Sequence, residues 1–467
     1  MQIPILSGVY TDDGPDVRVS YPVNMVPVAQ QSGVSTGYLR PADGIEAFAT
    51  GPGSDRGGIN WNGVCYRVMG TQLVSVADDG TVTDLGYIGG SGQVTMDYSF
   101  DRLAIASSGQ LWYYLPPSIP FQLIDPDLGT CVDILFIDGY YMSTDGENLI
   151  VTELNDPTVI NPLKYGSAEI DPDPVVALLK LRNEVYAVGR YTIEIFDNIG
   201  GDFFPFQRTT GGQVPKGAVG THACCVLANS VAFLGSGQNE AVSIYLGANA
   251  TPTKIATREI DLILSQYTEA ELATVLMEAR VDRNQQQLYV HLPDRTIVYD
   301  VNASLQLQQP VWFTLTSTLE GFEQYRAKNL VWAYNRWLVG DTQGASVGTM
   351  VDTVGTHYGD HVRWECGTLM LYNEGRGVIV HQLELVALTG RVALGIDPQI
   401  TTSYSLDGEV WSMDKPISCG TIGNRMKRLV WLQQGTMRNF RMQRFRGDTQ
   451  AHLSLARLEA RLEPLSV

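Results

Sequence analysis

The sequence predicts an all-β protein: a β-propeller of about seven hairpin units with a short helical insertion, followed by a C-terminal antiparallel β-sandwich-like domain. Three observations predict this fold. The 47 glycines and 22 prolines are spread along the 467 residues without a triplet period, and they mark many turns. Apolar strand, polar turn and apolar strand recur at intervals of roughly 25 to 45 residues. Beyond residue 355, apolar and polar residues alternate, which is typical of half-exposed antiparallel strands.

The repeating pattern contains seven units, each with the length of a propeller blade. They cover residues 59–85, 94–124, 132–154, 175–196, 223–255, 279–315 and 330–351. Turn residues separate the strands within each unit, for example Asp138-Gly139 in the third and Tyr334-Asn335 in the seventh. The units share a period but no WD or kelch signature. A set of unrelated hairpins in stacked sandwiches is therefore the alternative to a propeller.

These patterns divide the chain into an N-terminal arm (1–57), a propeller-like domain (58–354) and a sandwich-like domain (355–467). A helical insertion is expected near 257–278. Thr268 and Glu271 have the spacing of a capping box, which begins a helix. Apolar residues follow at helical spacing: Leu272, Val275, Leu276 and Ala279. A second short helix is predicted over 259–265. We interpret the insertion as a candidate contact helix, and packing over the propeller edge is the plainer alternative.

The charge is unevenly distributed along the chain. The net charge is −18, and residues 1–160 contribute −14 of it, with 19 acidic against 5 basic residues. An acidic surface repels nucleic acid, so sequence-independent DNA binding is not expected over most of the molecule. Residues 425–461 are the exception, with nine basic residues against two acidic ones.

The basic C-terminal segment predicts a subunit interface. Strand alternation in 440–446 is expected to place aromatic side chains on one face and arginines on the other. Such a strip suits pairing with the acidic first third of a neighbouring copy, and DNA contact is the less favoured alternative. The candidate interface residues are Arg425, Lys427, Arg428, Arg438, Arg441, Arg444 and Arg446.

The cysteine pattern and the hydropathy bear on the compartment. The six cysteines form no C-x-x-C pair, and they are too few for a disulfide scaffold, so reduced thiols are expected. No secretory signal and no apolar run of about 18 residues is present, so neither export nor a transmembrane helix is predicted. We expect synthesis in a cytoplasm.

The sequence offers few candidates for catalysis or metal binding. His357 and His361 have the i, i+4 spacing of zinc ligands, but Gly359 interrupts any helix between them, which favours a junction loop. Ser405 to Trp411 is similar to a sialidase Asp-box, one residue short, and predicts a hairpin with its turn at Asp407-Gly408. Adjacent carboxylates, as at Asp78-Asp79, also predict turns. No nucleophile-elbow, phosphate-loop or dinucleotide motif occurs. No catalytic, cofactor-binding or metal-binding residue is therefore predicted, and the chain is not expected to be an enzyme.

Short segments spread along the chain resemble, in order, the packaged-DNA stabilisation proteins, or tail hub (nozzle) proteins, of short-tailed phages. Each segment is weak alone, and the ordered set is fairly specific. The segments are Tyr21-Pro22-Val23-Asn24-Met25, Gly37-Tyr38-Leu39-Arg40, Asp43-Gly44-Ile45, Val64-Cys65-Tyr66-Arg67-Val68, Gly92-Gln93-Val94-Thr95-Met96, Ser108-Gly109-Gln110-Leu111, Tyr191-Thr192-Ile193-Glu194-Ile195-Phe196, Ser265-Gln266-Tyr267-Thr268, His291-Leu292-Pro293, Val298-Tyr299-Asp300, Ser405-Leu406-Asp407-Gly408 and Arg438-Asn439-Phe440.

The resemblance implies a structural protein of the virion tail, made in the cytoplasm of the host bacterium. Proteins of this family form a six-fold hub below the portal and adaptor ring, which retains packaged DNA and later conducts it during ejection. The implied partners are other copies of the chain, portal–adaptor proteins, a tailspike or fibre, and a needle or plug, with double-stranded DNA passing without specific binding. The alternatives are a propeller hydrolase or a sugar-binding adhesin acting on host surface polysaccharide.

Overall fold

The computed structural model describes residues 2–6, 9–12, 17–29, 37–168, 171–201, 203–248, 250–283 and 285–465. Six strands precede the first repeating unit. They are β1 (Gln2–Ile3), β2 (Val9–Asp12), β3 (Val17–Ser20), β4 (Met25–Ala29), β5 (Gly37–Pro41) and β6 (Gly44–Thr50).

Seven antiparallel sheets follow in the described part of the chain, and each is a propeller blade. Blades one and two consist of β7 (Asp55–Trp61), β8 (Val64–Met69), β9 (Gln72–Val76), β10 (Val82–Tyr87), β11 (Thr95–Tyr98), β12 (Leu103–Ser107), β13 (Gln110–Tyr114) and β14 (Phe121–Gln122). Blades three and four consist of β15 (Asp133–Ile137), β16 (Tyr140–Thr144), β17 (Asn148–Glu153), β18 (Asp156–Ser167), β19 (Val175–Leu181), β20 (Glu184–Gly189), β21 (Ile193–Asn198) and β22 (Phe206–Val214).

The last three blades include the helices. Blade five consists of β23 (Gly217–Ala218), β24 (Cys224–Leu227), β25 (Ser230–Ser236), β26 (Ser243–Ala248) and β27 (Thr251–Lys254), followed by α1 (Arg258–Leu264) and α2 (Glu269–Leu272). Blade six consists of β28 (Leu276–Asp282), β29 (Gln285–His291), β30 (Thr296–Asp300) and β31 (Trp312–Leu315), with α3 (Val301–Leu307) before its last strand. Blade seven contains β32 (Ala327–Ala333), β33 (Arg336–Asp341) and β34 (Ser346–Val351).

The predicted propeller is confirmed, and the seven blades fall on the seven predicted units. The first long strand of each blade lies beside that of the next, and β32 of blade seven lies beside β7 of blade one, so the ring is closed. Predicted turns at Asp138-Gly139 and Tyr334-Asn335 are two-residue hairpin loops. All four residues have positive φ, which a type I′ turn requires at both central positions.

The core of the propeller is divided into seven clusters of buried apolar side chains, one in each gap between adjacent blades. Both faces of an inner strand are therefore covered. Every residue of β12 is buried for this reason, and its sequence, Leu-Ala-Ile-Ala-Ser, is a continuous run of small and apolar residues. Each fully buried Leu or Ile side chain contributes about 1.5–3 kcal/mol to the free energy of folding.

The outermost strand of blade seven comes from the N-terminus. β6 pairs antiparallel with β34, so that Gly44 lies opposite Val351 and Thr50 lies opposite Ser346. This strand falls within the segment predicted as an N-terminal arm. It closes the ring, because it joins the beginning of the propeller to its last blade.

The remaining strands form a β-sandwich, as predicted. They are β35 (Arg363–Gly367), β36 (Leu371–Tyr372), β37 (Val378–Ala387), β38 (Gln399–Ser405), β39 (Lys415–Ser418), β40 (Leu429–Leu432), β41 (Thr436–Met437), β42 (Phe440–Asp448) and β43 (Leu455–Pro464). One sheet has the order β4-β5-β43-β37-β40, with β1 on β43 and β41 on β37. The other has the order β35-β42-β38-β39, with β36 on β42. Strands β1, β4 and β5 again come from residues 1–57. The division of the chain at residues 57 and 354 stays a prediction.

Two of the three helices in the described residues were predicted. In α2 the Thr268 hydroxyl accepts from the Glu271 backbone, and the Glu271 carboxylate accepts from Thr268 N, which completes a capping box. The predicted continuation of the helix is wrong, because α2 ends at Leu272 and Leu276 begins β28. Buried side chains of α1 and α2 join the apolar cluster between blades five and six. No helix in the described part of the chain has the length and apolar character needed to cross a membrane.

Candidate assembly surfaces

Val23 and Asn24 join the propeller to the sandwich. Val23 exchanges backbone hydrogen bonds with Glu365 of β35, at 2.9 and 3.0 Å. The Asn24 amide Nδ2 donates to the carbonyls of Thr316 and Arg363, at 2.9 and 2.7 Å, and its Oδ1 accepts from Thr316 N at 3.1 Å. Asn24 is buried and has a left-handed φ of 51°, a conformation that asparagine tolerates better than most residues. These bonds connect blade six, the N-terminal segment and the sandwich.

Four arginines lie beside this junction, and we call them the junction arginine cluster. Arg363 of β35 and Arg446 of β42 both reach the Glu365 carboxylate, at 3.4 and 2.8 Å. The members are Arg295, Arg363, Arg444 and Arg446. One glutamate is therefore shared between two guanidinium groups.

Aromatic rings stack against three guanidinium groups of the cluster. Arg295 lies 3.9 Å from the Phe322 ring centroid, and Arg363 lies 5.0 Å from the same centroid. Arg444 lies 3.9 Å from the Trp411 ring centroid. Such stacking stabilises partly desolvated cations.

The environment lowers the pKa of two of these groups. Burial lowers the pKa of Arg444 to about 10, and the nearby Arg446 cation lowers it further against the pull of Glu365. Burial also lowers the pKa of Arg363. Arg444 stays charged at neutral pH. The cluster therefore carries excess positive charge in a chain whose net charge is −18.

A cleft of about 490 Å³ opens at this cluster. One wall is the propeller loop around Glu320, and the other is formed by β38 and β42 of the sandwich. Arg363 and Arg446 line it, together with Asp448. The cleft is large enough to admit side chains of another polypeptide.

The predicted basic strip is not continuous. Arg441 is 1% exposed and lies inside the sandwich, so the predicted alternation of faces is wrong for β42. Arg441, Gln443 and Phe445 are at odd positions and point into the sandwich, whereas Arg444 and Arg446 are at even positions with Met442. In the interior its guanidinium donates to Gln443 and to the Gln434 carbonyl and stacks on the Tyr404 ring.

The other predicted interface residues lie at the surface or beside the cleft. Arg428 pairs with Glu384 at 2.7 Å, and Lys427 donates to the Ser418 hydroxyl at 2.9 Å. Arg425 and Arg438 are exposed. Sequence reasoning missed Arg295 and Arg363. They are distant in the chain from the basic segment, and only the fold brings them together.

Exposed acidic side chains are spread over blades one to three. Several accept turn hydrogen bonds, as Asp79 does from Thr81 N at 2.9 Å, which confirms the turn predicted there. Others are buried, such as Asp55 and Asp133. The exposed acids of these blades, the acidic blade surface, are Asp78, Asp79, Asp84, Asp101, Asp127, Asp138, Glu147 and Asp156.

The residues considered for chemistry have structural partners. His357 is buried and bonded to the Ser317 hydroxyl at 2.7 Å, and burial lowers its pKa to about 3. His361 bonds Thr449 at 2.9 Å. Asp407 accepts from Glu409 N and Val410 N, which makes the predicted hairpin turn. Among the described residues, no group of three or more His, Cys, Asp or Glu side chains is arranged to hold a metal ion.

Two protein-family models match this chain. One, described as the β-propeller of bacteriophage P22 Gp10, covers residues 1–355. The other, described as the β-sandwich of the same protein, covers residues 363–463. A curated relative, the tail hub protein gp10 of Salmonella phage P22, is 27% identical over 492 residues, and the match covers 99% of each chain.

Solved structures with similar folds are more distant. The WD40 domain of Neurospora crassa Pan2 matches 66% of this chain and 95% of its own, with 11% identity and a TM-score of 0.42. BamB from Moraxella catarrhalis matches 75% of this chain and 93% of its own, with 11% identity and a TM-score of 0.39. The two family matches together span nearly the whole chain. The chain therefore belongs to the family whose two parts are described as the β-propeller and the β-sandwich of bacteriophage P22 Gp10.

Proposed function

We propose that this chain is a structural, non-enzymatic protein of a phage virion tail, which forms a six-fold tail hub below the portal–adaptor ring. The observation that carries the proposal is the match to the tail hub protein of Salmonella phage P22 over 99% of both chains. The hub closes the channel after genome packaging and conducts DNA during ejection. It carries a tailspike or fibre at its side and a needle or plug at its tip.

Native mass spectrometry and negative-stain microscopy test this role. The purified chain is measured alone and after mixing with the portal–adaptor assembly of its own phage. We expect a six-fold ring on the adaptor end of the portal. A chain that stays monomeric and never docks would refute the proposal, and degradation of host polysaccharide would then favour a hydrolase.

Opposite charges on two faces support a ring contact between copies. The cleft with the junction arginine cluster, together with exposed Arg425 and Arg438, would meet the acidic blade surface of the next copy. Contacts between different faces of identical subunits generate closed rings. Such a contact weakens with salt, since exposed charges are screened over about 8 Å at physiological ionic strength.

Charge reversal tests the ring contact. The double variant Arg425→Glu/Arg438→Glu should assemble poorly on the portal–adaptor complex. The control is Arg283→Glu, whose side chain is 72% exposed and lies outside the basic segment. Assembly that is unchanged in the double variant, or reduced equally in the control, would contradict this interface.

The acids of these blades that the ring contact leaves uncovered also suit a channel through which DNA passes without binding. Carboxylates offer phosphates no neutralising contact, so retention by the wall is weak. Replacing Asp78, Asp79 and Asp84 by lysine should slow DNA ejection from assembled virions, and the slowing should shrink as salt increases. An ejection rate that is unaffected would exclude this surface from the channel.

A further inference from the structure

A cavity of about 250 Å³ lies between the two sheets of the sandwich. Strands β1, β37, β41 and β43 of one sheet line it, as do β36 and β42 of the other. Most of the lining side chains are apolar, among them Leu371, Val380 and Leu462. Tyr372 also lines the cavity and is exposed, so the cavity reaches the surface beside β36.

The cavity has a buried cation in its wall. Arg441 is 1% exposed. Its Nε and Nη2 donate to Gln443 Oε1 at 3.1 and 2.8 Å, and its Nη1 donates to the Gln434 carbonyl at 2.7 Å. The guanidinium carbon lies 4.0 Å from the Tyr404 ring centroid.

This cation has no counter-ion within the described part of the chain. Arginine has five N–H donors, and the three bonds above leave one on each terminal nitrogen without an acceptor there. No described carboxylate forms an ion pair with Arg441. The two acceptors and the ring are all neutral, which distinguishes Arg441 from the buried Arg67 and Arg280, each paired with an aspartate.

Physical chemistry defines what would fill such a cavity. Burial lowers the pKa of Arg441 to about 10, so the group is still a cation at neutral pH. A buried charge without an opposite charge is costly, and a carboxylate bound to it would remove that cost. The apolar walls require the rest of the ligand to be apolar. The volume lies just below the roughly 300–1,000 Å³ of drug-sized sites, which favours a short chain.

We propose that this cavity binds a short aliphatic carboxylate, with its carboxylate on Arg441 and its alkyl chain among Leu371, Val380 and Leu462. The two remaining N–H groups on separate nitrogens match the two oxygens of a carboxylate. A phosphate would place a dianion against apolar walls, and a neutral hydrocarbon would leave the cation uncompensated. The proposal does not depend on the tail hub role.

Calorimetric titration of the full chain at pH 7.5 tests the site, with octanoate as the probe and 1-octanol as its neutral comparator. Octanoate should bind at least about tenfold more tightly than 1-octanol, because a hydrogen bond to a charged group is worth that much. Arg441→Met should abolish this preference, and Arg391→Met, at an exposed position of the sandwich between β37 and β38, should retain it. Replacing a buried charge by an apolar side chain of similar size is often neutral for folding.

A second variant keeps the cation and fills the space. Val380→Phe should weaken binding of both octanoate and 1-octanol. A tripeptide that ends in leucine is a third probe. If it binds with the same affinity as octanoate, the chemistry is supported and the carboxylate is assigned to a polypeptide terminus. Equal affinities of wild type for octanoate and 1-octanol, equal octanoate binding by wild type and Arg441→Met, or no octanoate binding by wild type would each overturn the proposal.

Discussion

The seam between the first and last blades contains a buried ion pair whose removal has a calculable effect. Arg67 of β8 and Asp55 of β7 are 2.6 Å apart, and both side chains are 0% exposed. Arg67 also donates to the carbonyls of Asn329 and Leu338 in blade seven, at 3.0 and 2.9 Å. Burial alone would lower the pKa of Arg67, but the Asp55 carboxylate and the Cys65 thiol together raise it above its ordinary value. The Arg67 guanidinium thus connects blade one to blade seven.

A double-mutant cycle measures this pair. Arg67→Met or Asp55→Leu alone leaves an uncompensated buried charge and should cost about 3–5 kcal/mol. The double variant Asp55→Leu/Arg67→Met leaves no charge. It loses the bonds to the two carbonyls, so it should cost about 2–4 kcal/mol. The two single costs sum to about 6–10 kcal/mol, so the coupling energy between the two residues should be about 2–8 kcal/mol.

Native-state hydrogen exchange is the suitable assay, because it reports the free energy of opening for individual peptides in a two-domain chain. The reporting peptides cover β8 and β33, and sandwich peptides serve as an internal reference. The matched control is the exposed pair Arg283–Asp352, whose atoms are also 2.6 Å apart. Its coupling should stay below about 1 kcal/mol. Additive costs at Arg67 and Asp55, or equal coupling in both pairs, would refute the reasoning.

Three further predictions concern stability. Ile45→Ala in β6 should lower the free energy of propeller unfolding by about 2–5 kcal/mol, since Ile45 is 0% exposed. Glu46 is the exposed neighbour of Ile45, and Glu46→Ala should change the free energy of unfolding by less than about 0.5 kcal/mol. Similar melting temperatures for the two variants would argue against closure of the ring by β6. Asn24→Ala should lower the free energy of unfolding by about 3 kcal/mol, because the side-chain hydrogen bonds are lost and alanine disfavours the left-handed backbone conformation. Asn24→Gly should lower the free energy of unfolding by less than Asn24→Ala does, with both variants measured by denaturant titration. A larger loss in Asn24→Gly than in Asn24→Ala would exclude backbone strain. Burial raises the pKa of Asp133 to about 6. The folded chain therefore keeps a proton that the unfolded chain releases near pH 4, and this stabilisation is lost as the pH rises through 6. Calorimetry should show wild type losing about 3 kcal/mol relative to Asp133→Asn between pH 4 and pH 7, and a pH-independent difference would contradict the assigned pKa.

Local patterns predicted the blades because their cause is local. The strands of one blade are consecutive in sequence, and turns such as Asp138-Gly139 need only a few residues with the right backbone preference. The capping box at Thr268 is equally local. Its helix nevertheless ends after one turn, because Leu276 pairs with His291 of β29 and begins the inner strand of blade six. Tertiary pairing outweighed the weak helical preference there.

The composition and residue order by themselves determined an all-β chain with seven repeated units, a sandwich pattern and uneven charge. The tertiary structure decided which distant segments meet. β6 pairs with a strand about 300 residues away, and Asn24 reaches Thr316 and Arg363 across a similar separation. The tertiary structure also places the Arg441 side chain inside the sandwich, and it places Arg295 and Arg363 near Arg446. The physical reason is that alternation along a strand defines two faces, whereas the packing of other elements determines which face is buried.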